Sequence, residues 1–255
     1  MQYVFLQHKR LFICLATLFL LVQLTGCAKE KWRTAFGIGQ QQAESADVLI
    51  MKGMDKYNQG KYNKAKQYFE SLLSQYPFSE YSLLAELKTA DSSYYLENYE
   101  EALLLYKDFE ERHPTNEAIP YIMFQMGMCY YEQIDTIDRD SGNAVNAINA
   151  FSRLLRAFPT TAYTNEAKFR IRAARNFLAN HEYYVAKFYV RRHSYGEAQS
   201  RLEFLLQEYP ESVVAPKAQI LLDSLKSGNP PRRTMFGWLP RPSTDWEDIP
   251  PAEEE

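Results

Sequence analysis

The stretch KYNKAKQYFESLLSQYP, residues 61–77, decides the fold because its spacing recurs along the chain. In it a small residue, Ala65, is followed by an aromatic residue at i+4, Phe69, and by a proline at i+12, Pro77. Positions i, i+4, i+7 and i+8 share one face of a helix. The stretch therefore predicts an amphipathic helix of about four turns that the proline ends.

Three later segments keep the same offsets between the small residue, the large apolar residue and the proline. They are NYEEALLLYKDFEERHP (98–114), NAVNAINAFSRLLRAFP (143–159) and SYGEAQSRLEFLLQEYP (194–210). Four copies of one pattern indicate a repeat protein, in which each helix needs its neighbours to bury its apolar face.

Each copy is preceded by a second helical stretch with its own small residue. Gly53, Ala90 and Ala186 stand twelve residues before the small residue of the first, second and fourth copies. In the third copy the matching residue is Gly127, twenty residues before Ala147, and the eight extra residues fall in the polar stretch DTIDRDSG, residues 135–142. A small residue in both helices and a proline after the second are typical of tetratricopeptide repeats. The sequence predicts an all-α tetratricopeptide-repeat solenoid of about four repeats.

Composition agrees with one helical solenoid over residues 46–226. The 255 residues are 46% hydrophobic and include only 10 glycines, which disfavours a turn-rich β architecture. The net charge of −3 and the lack of a basic block outside the N-terminus argue against a nucleic-acid partner. SVVAPKAQILLDSLKSG (212–228) predicts one capping helix, and the proline-rich tail 227–255, with Trp238 and Trp246, is expected to be disordered or a short recognition motif.

The first 26 residues predict a cleaved signal peptide. Lys9 and Arg10 precede an apolar run from Leu11 to Leu24 that is short for a membrane-spanning helix. Residues 24–27, LTGC, resemble a bacterial lipobox, which implies cleavage before Cys27 and an N-acyl and diacylglyceryl lipid on that cysteine. The alternative is a plain secretory signal. Resemblance to lipoproteins with Ala28 after the cysteine implies the outer membrane, and residues 27–45 would form an acylated tether.

The sequence predicts no catalytic residues, no metal site and no cofactor apart from the lipid. HEYYV, residues 181–185, begins like a zinc-protease helix, but Val185 stands where the second histidine must lie. Cys129 is alone in the mature chain, and we expect a small buried side chain there, the alternative being a catalytic thiol.

Binding is the remaining class of function. Repeat solenoids bind partners on the surface that the first helix of each repeat lines. Candidate contacts there are Tyr94, Tyr95, Tyr130 and Tyr131, with packing between helices as the alternative for each.

The lipobox, the stretch YPFSEYS (76–82) and the block from Leu178 to Ser212 resemble the BamD (ComL/YfiO) family of outer-membrane assembly lipoproteins. The resemblance implies a non-enzymatic scaffold on the periplasmic face of the outer membrane. Its implied partners are BamA, the other subunits of the β-barrel assembly (BAM) complex, and unfolded outer-membrane proteins. It also implies that Arg201 contacts BamA; the alternative is a solvated cation that faces Glu197 or Glu208.

Two other functions stay open on the sequence. In the first, the chain is another repeat lipoprotein, such as a pilotin for secretin or pilus assembly. In the second, it is a lipoprotein that recruits a periplasmic cell-wall hydrolase.

The C-terminal part departs from the resembled family. Members of that family usually end with two further helices, whereas here one helix precedes the proline-rich tail.

Overall fold

The structure is a computed structural model that describes residues 44–137 and 141–231. The chain divides into two compact units, residues 1–49 and residues 50–255. The signal peptide, Cys27 and the tryptophans of the tail lie outside the described residues.

The described residues form helices joined by short connections. In chain order they are α1 (Ala46–Asn58), α2 (Tyr62–Gln75), α3 (Ser82–Tyr95), α4 (Tyr99–Arg112), α5 (Ile119–Tyr131), α6 (Gly142–Ala157), α7 (Thr164–Arg191), α8 (Tyr195–Glu208) and α9 (Ala215–Lys226). From α2 to α9 each helix packs against the next in sequence. This order is that of a tetratricopeptide solenoid in which α9 follows the last pair, so the predicted fold class is confirmed.

The four prolines of the repeat pattern each follow a helix by the same distance. Helices α2, α4, α6 and α8 end two residues before Pro77, Pro114, Pro159 and Pro210. Proline has no backbone N–H and disfavours a helical conformation at the residue before it. The repeated proline therefore sets the end of the second helix in each repeat.

Small residues permit the close crossing of the two helices in a repeat. A Cβ atom at Gly53 would overlap the ring of Phe69, and one at Gly127 would overlap the ring of Phe151. Ala65 and Ala147, four residues before these rings, have no exposed surface. The spacing read from the sequence therefore corresponds to rings that fill the space left by the missing side chains.

The tight turns within repeats use a left-handed residue. Gly60, Glu97 and His193 have φ of 70°, 61° and 61°. After each of them the chain closes the preceding helix with an N–H that donates five residues back, as from Asn98 to the Ser93 carbonyl at 3.0 Å. In the third repeat the extra residues lie, as predicted, between the end of α5 at Tyr131 and the start of α6 at Gly142.

Candidate functional site

The end of α3 carries an aromatic surface that we call the tyrosine surface, formed by Tyr57, Tyr62, Tyr94, Tyr95 and Tyr99. Tyr95 is 47% exposed and stacks on Tyr62, with ring centroids 4.6 Å apart. Tyr57 meets both rings edge-on, at 5.4 Å and 5.9 Å. Tyr94 is half-buried and packs edge-on against Tyr95 and Tyr99. The rings restrain each other, so this surface is ordered before any partner binds.

The other predicted pair of tyrosines lies at the end of α5, in less accessible positions. Tyr130 is half-buried, and its hydroxyl oxygen lies 3.5 Å from Lys107 Nζ. Tyr131 is 8% exposed, and the guanidinium of Arg170 lies 4.7 Å from its ring centre. Tyr131 therefore packs between helices. Of the four predicted tyrosines, Tyr94, Tyr95 and Tyr130 have solvent-exposed surface that a partner can contact.

A buried carboxylate supports the tyrosine surface, and the sequence analysis did not single it out. Asp91 is 1% exposed. Its Oδ1 accepts hydrogen bonds from the hydroxyls of Tyr106 at 2.7 Å and Tyr121 at 2.8 Å. Its Oδ2 pairs with Lys88 Nζ at 2.8 Å and lies 3.5 Å from the Tyr57 hydroxyl. One carboxylate thus connects α1, α3, α4 and α5.

Lys88 links this carboxylate to the aromatic rings. Its Nζ lies 4.6 Å from the centre of the Tyr57 ring, close enough for a cation–π interaction. Burial, and then the charge of Asp91, raise the pKa of Tyr57, Tyr106 and Tyr121 above the ordinary value. These hydroxyls therefore stay protonated and remain donors to Asp91 at neutral pH.

One signal in the sequence pointed to Asp91. It directly follows Ala90, which the repeat pattern placed at a buried helix crossing. An acidic residue at such a position needs several hydrogen-bond donors, because a buried carboxylate without partners is costly. The donors themselves come from other helices and cannot be paired from spacing alone.

Arg201 lies on α8 and faces α7. Its side chain is 47% exposed, and its Nη1 lies 3.2 Å from Oε2 of Glu182, which is 14% exposed. The alternative reading of the sequence, in which Arg201 faces Glu197 or Glu208, is wrong in its choice of partner. Those residues lie four and seven positions away on the same helix, whereas the packing of α8 on α7 brings the acid of the neighbouring helix closer.

The residues examined for enzyme chemistry have structural contacts. His181 Nδ1 lies 2.6 Å from the Ile137 carbonyl oxygen, and Val185 is half-buried. Cys129 is buried, and burial raises the pKa of its thiol to about 12, which disfavours the reactive thiolate. Between residues 44 and 137 and between 141 and 231, no three His, Cys, Asp or Glu side chains are grouped to hold a metal ion. No helix in the same ranges is long and apolar enough to cross a bilayer.

Comparison with known proteins identifies the family of this chain. A family model named YfiO and described as an outer membrane lipoprotein matches residues 42–225. The chain belongs to the YfiO family. The matched range includes the tyrosine surface, Asp91 and Arg201.

Relatives of this YfiO-family chain from several organisms share a name. A protein of Caulobacter vibrioides, called outer membrane protein assembly factor BamD, is 24% identical over 206 residues, which cover 81% of this chain and 67% of the relative. The protein of that name from Pasteurella multocida is 27% identical and covers 74% of this chain and 79% of its own. Among solved structures, a thermophilic tetratricopeptide-repeat protein from Thermus thermophilus is 17% identical, with a TM-score of 0.39 over 72% of this chain and all of that one.

Proposed function

We propose that this YfiO-family chain is a non-enzymatic subunit of the machinery that assembles β-barrel proteins in the outer membrane. The match of the family model over residues 42–225 carries the proposal, because the range includes both candidate binding surfaces. The relatives from Caulobacter and Pasteurella are named outer membrane protein assembly factors. A solenoid of packed helix pairs presents surfaces to several partners at once, as a scaffold requires.

A lipid on Cys27 anchors the subunit to the periplasmic face of the outer membrane in this proposal. One acyl chain gives marginal membrane binding, whereas several chains on one cysteine give stable attachment. The description of the family as an outer membrane lipoprotein supports this placement. Residues 28–45 then connect the lipid to the first repeat.

The docking surface for BamA and other BAM subunits lies on the last repeats, with Arg201 as its contact. A guanidinium has five N–H donors in a fixed plane, and Glu182 engages one nitrogen of Arg201. The half-exposed side chain therefore keeps donors for an acidic group of BamA. Glu182 holds the guanidinium in place, which lowers the entropy that binding would cost.

The tyrosine surface receives unfolded outer-membrane proteins. Strands of transmembrane barrels alternate apolar and polar residues and carry aromatic residues near both membrane interfaces. Tyrosine rings give such segments a large apolar contact area with a hydroxyl at the edge, and they lose little entropy on binding. The exposed ring of Tyr95, stacked on Tyr62, is the most accessible part of this surface.

Purification of the lipidated chain from membranes with its bound partners tests the proposal. We expect BamA in stoichiometric amounts. A secretin without BamA would contradict it and identify a pilotin, and a cell-wall hydrolase without BamA would identify a hydrolase recruiter.

A charge swap separates the docking role of Arg201 from its pairing with Glu182. The double variant Glu182→Arg, Arg201→Glu keeps an ion pair between α7 and α8 but moves the positive charge to α7. If Arg201 contacts an acid of BamA, the swap should keep the wild-type melting temperature and weaken BamA binding by about 2–5 kcal/mol, because the new glutamate repels that acid.

The control for the swap is Lys217→Glu, which reverses an exposed charge on α9 and should leave BamA binding unchanged. Normal binding by the swapped variant would show that Arg201 serves only to pair with Glu182. Loss of binding by the control as well would show that charge changes on the last helices weaken binding without a specific contact of Arg201.

A further inference from the structure

Helix α7 is 28 residues long, twice the length of α8, and its two halves are buried on different faces. Toward the end of the first half, Ala174 and Phe177, with the adjacent Leu178, pack with Ala144 of α6. In the second half Ala179 and Ala186 pack with Ala198, Leu202 and Leu205 of α8. The face that α8 covers in the second half is therefore not the face that α6 covers in the first.

The continuation of the α8-facing side along the first half of α7 is basic. Lys168, Arg172 and Arg175 precede Ala179 at steps of four, three and four residues, so all four lie on one face of the helix. All three basic residues are exposed. Arg175 Nη2 donates to the Glu208 carbonyl at 2.7 Å, which places the last residue of α8 level with Arg175. Lys168 and Arg172 lie beyond that end, and we call the three residues the basic shelf.

Among the described residues, the acidic side chains near the basic shelf do not pair with Lys168 or Arg172, so most of the positive charge of the shelf is not neutralised. Glu166 pairs with Arg170 at 2.7 Å and lies roughly 120° around the helix from Arg172. Glu208 and Glu211 are exposed beside the end of α8, at one edge of the shelf. In the part of the chain that the structure describes, neither Lys168 nor Arg172 has a carboxylate within ion-pair distance.

The sequence beyond α9 supplies a complementary segment. Residues 245–255, DWEDIPPAEEE, contain six acidic residues and no lysine or arginine. Helix α9 ends at Lys226, and its start lies beside the basic shelf, because the Val213 N–H donates to Asn176 Oδ1 at 3.0 Å. A helix of 12 residues is about 18 Å long, and the 19 residues from Lys226 to Asp245 span up to about 60 Å when extended. The acidic segment therefore reaches the shelf.

We propose that residues 245–255 dock on the basic shelf of the same chain. The occupant is this segment because its charge is opposite to that of the shelf and its tether gives it a high local concentration. Trp246 stands between Asp245 and Glu247, so docking of these carboxylates on the shelf brings the indole ring to the same surface.

Trp246 reports on the docking. Replacing Trp32 and Trp238 by phenylalanine leaves Trp246 as the one tryptophan in the full chain. At low salt we expect Trp246 to be quenched by acrylamide less than in a synthetic peptide of residues 232–255 that carries the same Trp238→Phe change. High salt should raise quenching to the peptide value, because ions screen exposed charges. The variant Lys168→Glu, Arg172→Glu should reach the peptide value already at low salt.

The matched control reverses two exposed basic residues elsewhere, Lys64→Glu and Arg191→Glu, and should keep Trp246 protected. Circular dichroism and melting temperature verify that both double variants are folded. If the shelf variant is unfolded, two measurements on the parent chain, which carries only the Trp32→Phe and Trp238→Phe changes, decide: the salt dependence of quenching, and competition by an added peptide in which both tryptophans are replaced by phenylalanine. Peptide-like quenching of Trp246 in the parent chain at low salt would overturn the proposal, as would protection that the folded shelf variant retains.

Discussion

Asp91 brings a negative charge into the interior of the repeats, where Tyr106, Tyr121 and Lys88 provide its partners. The interior is a poor solvent for a carboxylate, so such a group is stable only with several donors. The same contacts fix Lys88 and Tyr57 beneath the tyrosine surface. Stability and the shape of this surface therefore depend on one side chain.

Replacing Asp91 by alanine should lower the free energy of unfolding by about 3–5 kcal/mol, because it leaves Lys88 and two buried hydroxyls without their acceptor. Urea denaturation followed by circular dichroism measures this loss. Asp223→Ala removes an exposed carboxylate from α9 and should change stability little. Equal effects of the two substitutions would contradict the importance of the buried network.

Alkaline pH should destabilise the chain. Burial raises the pKa of Cys129 to about 12 and also raises the pKa of Tyr57, Tyr106 and Tyr121. In the unfolded chain thiols and phenols release protons near pH 8.5 and about pH 10. The folded chain then holds protons that the unfolded chain has lost, so the free energy of unfolding is largest below about pH 8.5 and falls as pH rises toward the folded-state values.

Denaturation at a series of pH values from about 8 to about 10.5 tests this sign. The free energy of unfolding should decline across the range, and Cys129→Ala should decline less steeply because one of the groups is absent. A flat profile in the unmodified chain would show that these groups are not protected from water.

Single residues were predicted from sequence where a local pattern defines them. Ala147 and Gly127 were found because their spacing to an aromatic residue recurs. The partner of Arg201 was not predicted. Glu182 is nineteen residues away in the sequence, and it lies close to Arg201 only because α8 packs on α7. Asp91 was missed for the same reason, since its donors come from three other helices and from one turn along α3.

At the scale of the helix, the repeat depends on a crossing in which a ring occupies the space beside a glycine or alanine. Phe151 of α6 lies against Gly127 of α5, and Phe69 of α2 lies against Gly53 of α1. Protein interiors are packed closely, so an added methyl group at such a crossing must displace the ring. Glycine at these two places is required by packing and not by backbone conformation.

Two glycine-to-alanine changes with opposite outcomes test the crossing. Gly127→Ala should lower the free energy of unfolding by about 1–3 kcal/mol through overpacking against Phe151. Gly196→Ala, on α8, meets no atom within 4 Å and should raise stability by up to about 1 kcal/mol, because alanine favours the helix. Thermal melts of both variants give the comparison, and destabilisation by Gly196→Ala but not by Gly127→Ala would contradict the alignment of the third repeat.

The helices themselves were predictable because proline and the 3.6-residue period mark them locally. The ends of α2, α4, α6 and α8 follow from the four prolines. The length of α7 was not predicted. No proline or glycine interrupts residues 164–191, so the sequence permits one long helix, but no local signal marks where its buried face changes. That change depends on which neighbouring helices pack against each half. The basic shelf follows from that length and was likewise invisible in the repeat pattern.

At the scale of the molecule, residues 50–231 present two separate surfaces on one run of packed helices. The tyrosine surface lies at the ends of α1 and α3, and Arg201 lies on α8, six helices after α2. Sequential packing lets each repeat change its surface without disturbing distant repeats. In the proposed function, the first repeats receive a substrate and the last repeats dock to a partner.

The yield of folded β-barrel proteins in the outer membrane tests the assembly role most directly. The chain is depleted from cells, and newly made barrel proteins are scored as folded or unfolded by their heat-dependent mobility in gels. The proposed function predicts that folded barrels fall while total synthesis continues, and that the wild-type chain restores them. Unchanged folding of newly made barrels after complete depletion would contradict the proposed function.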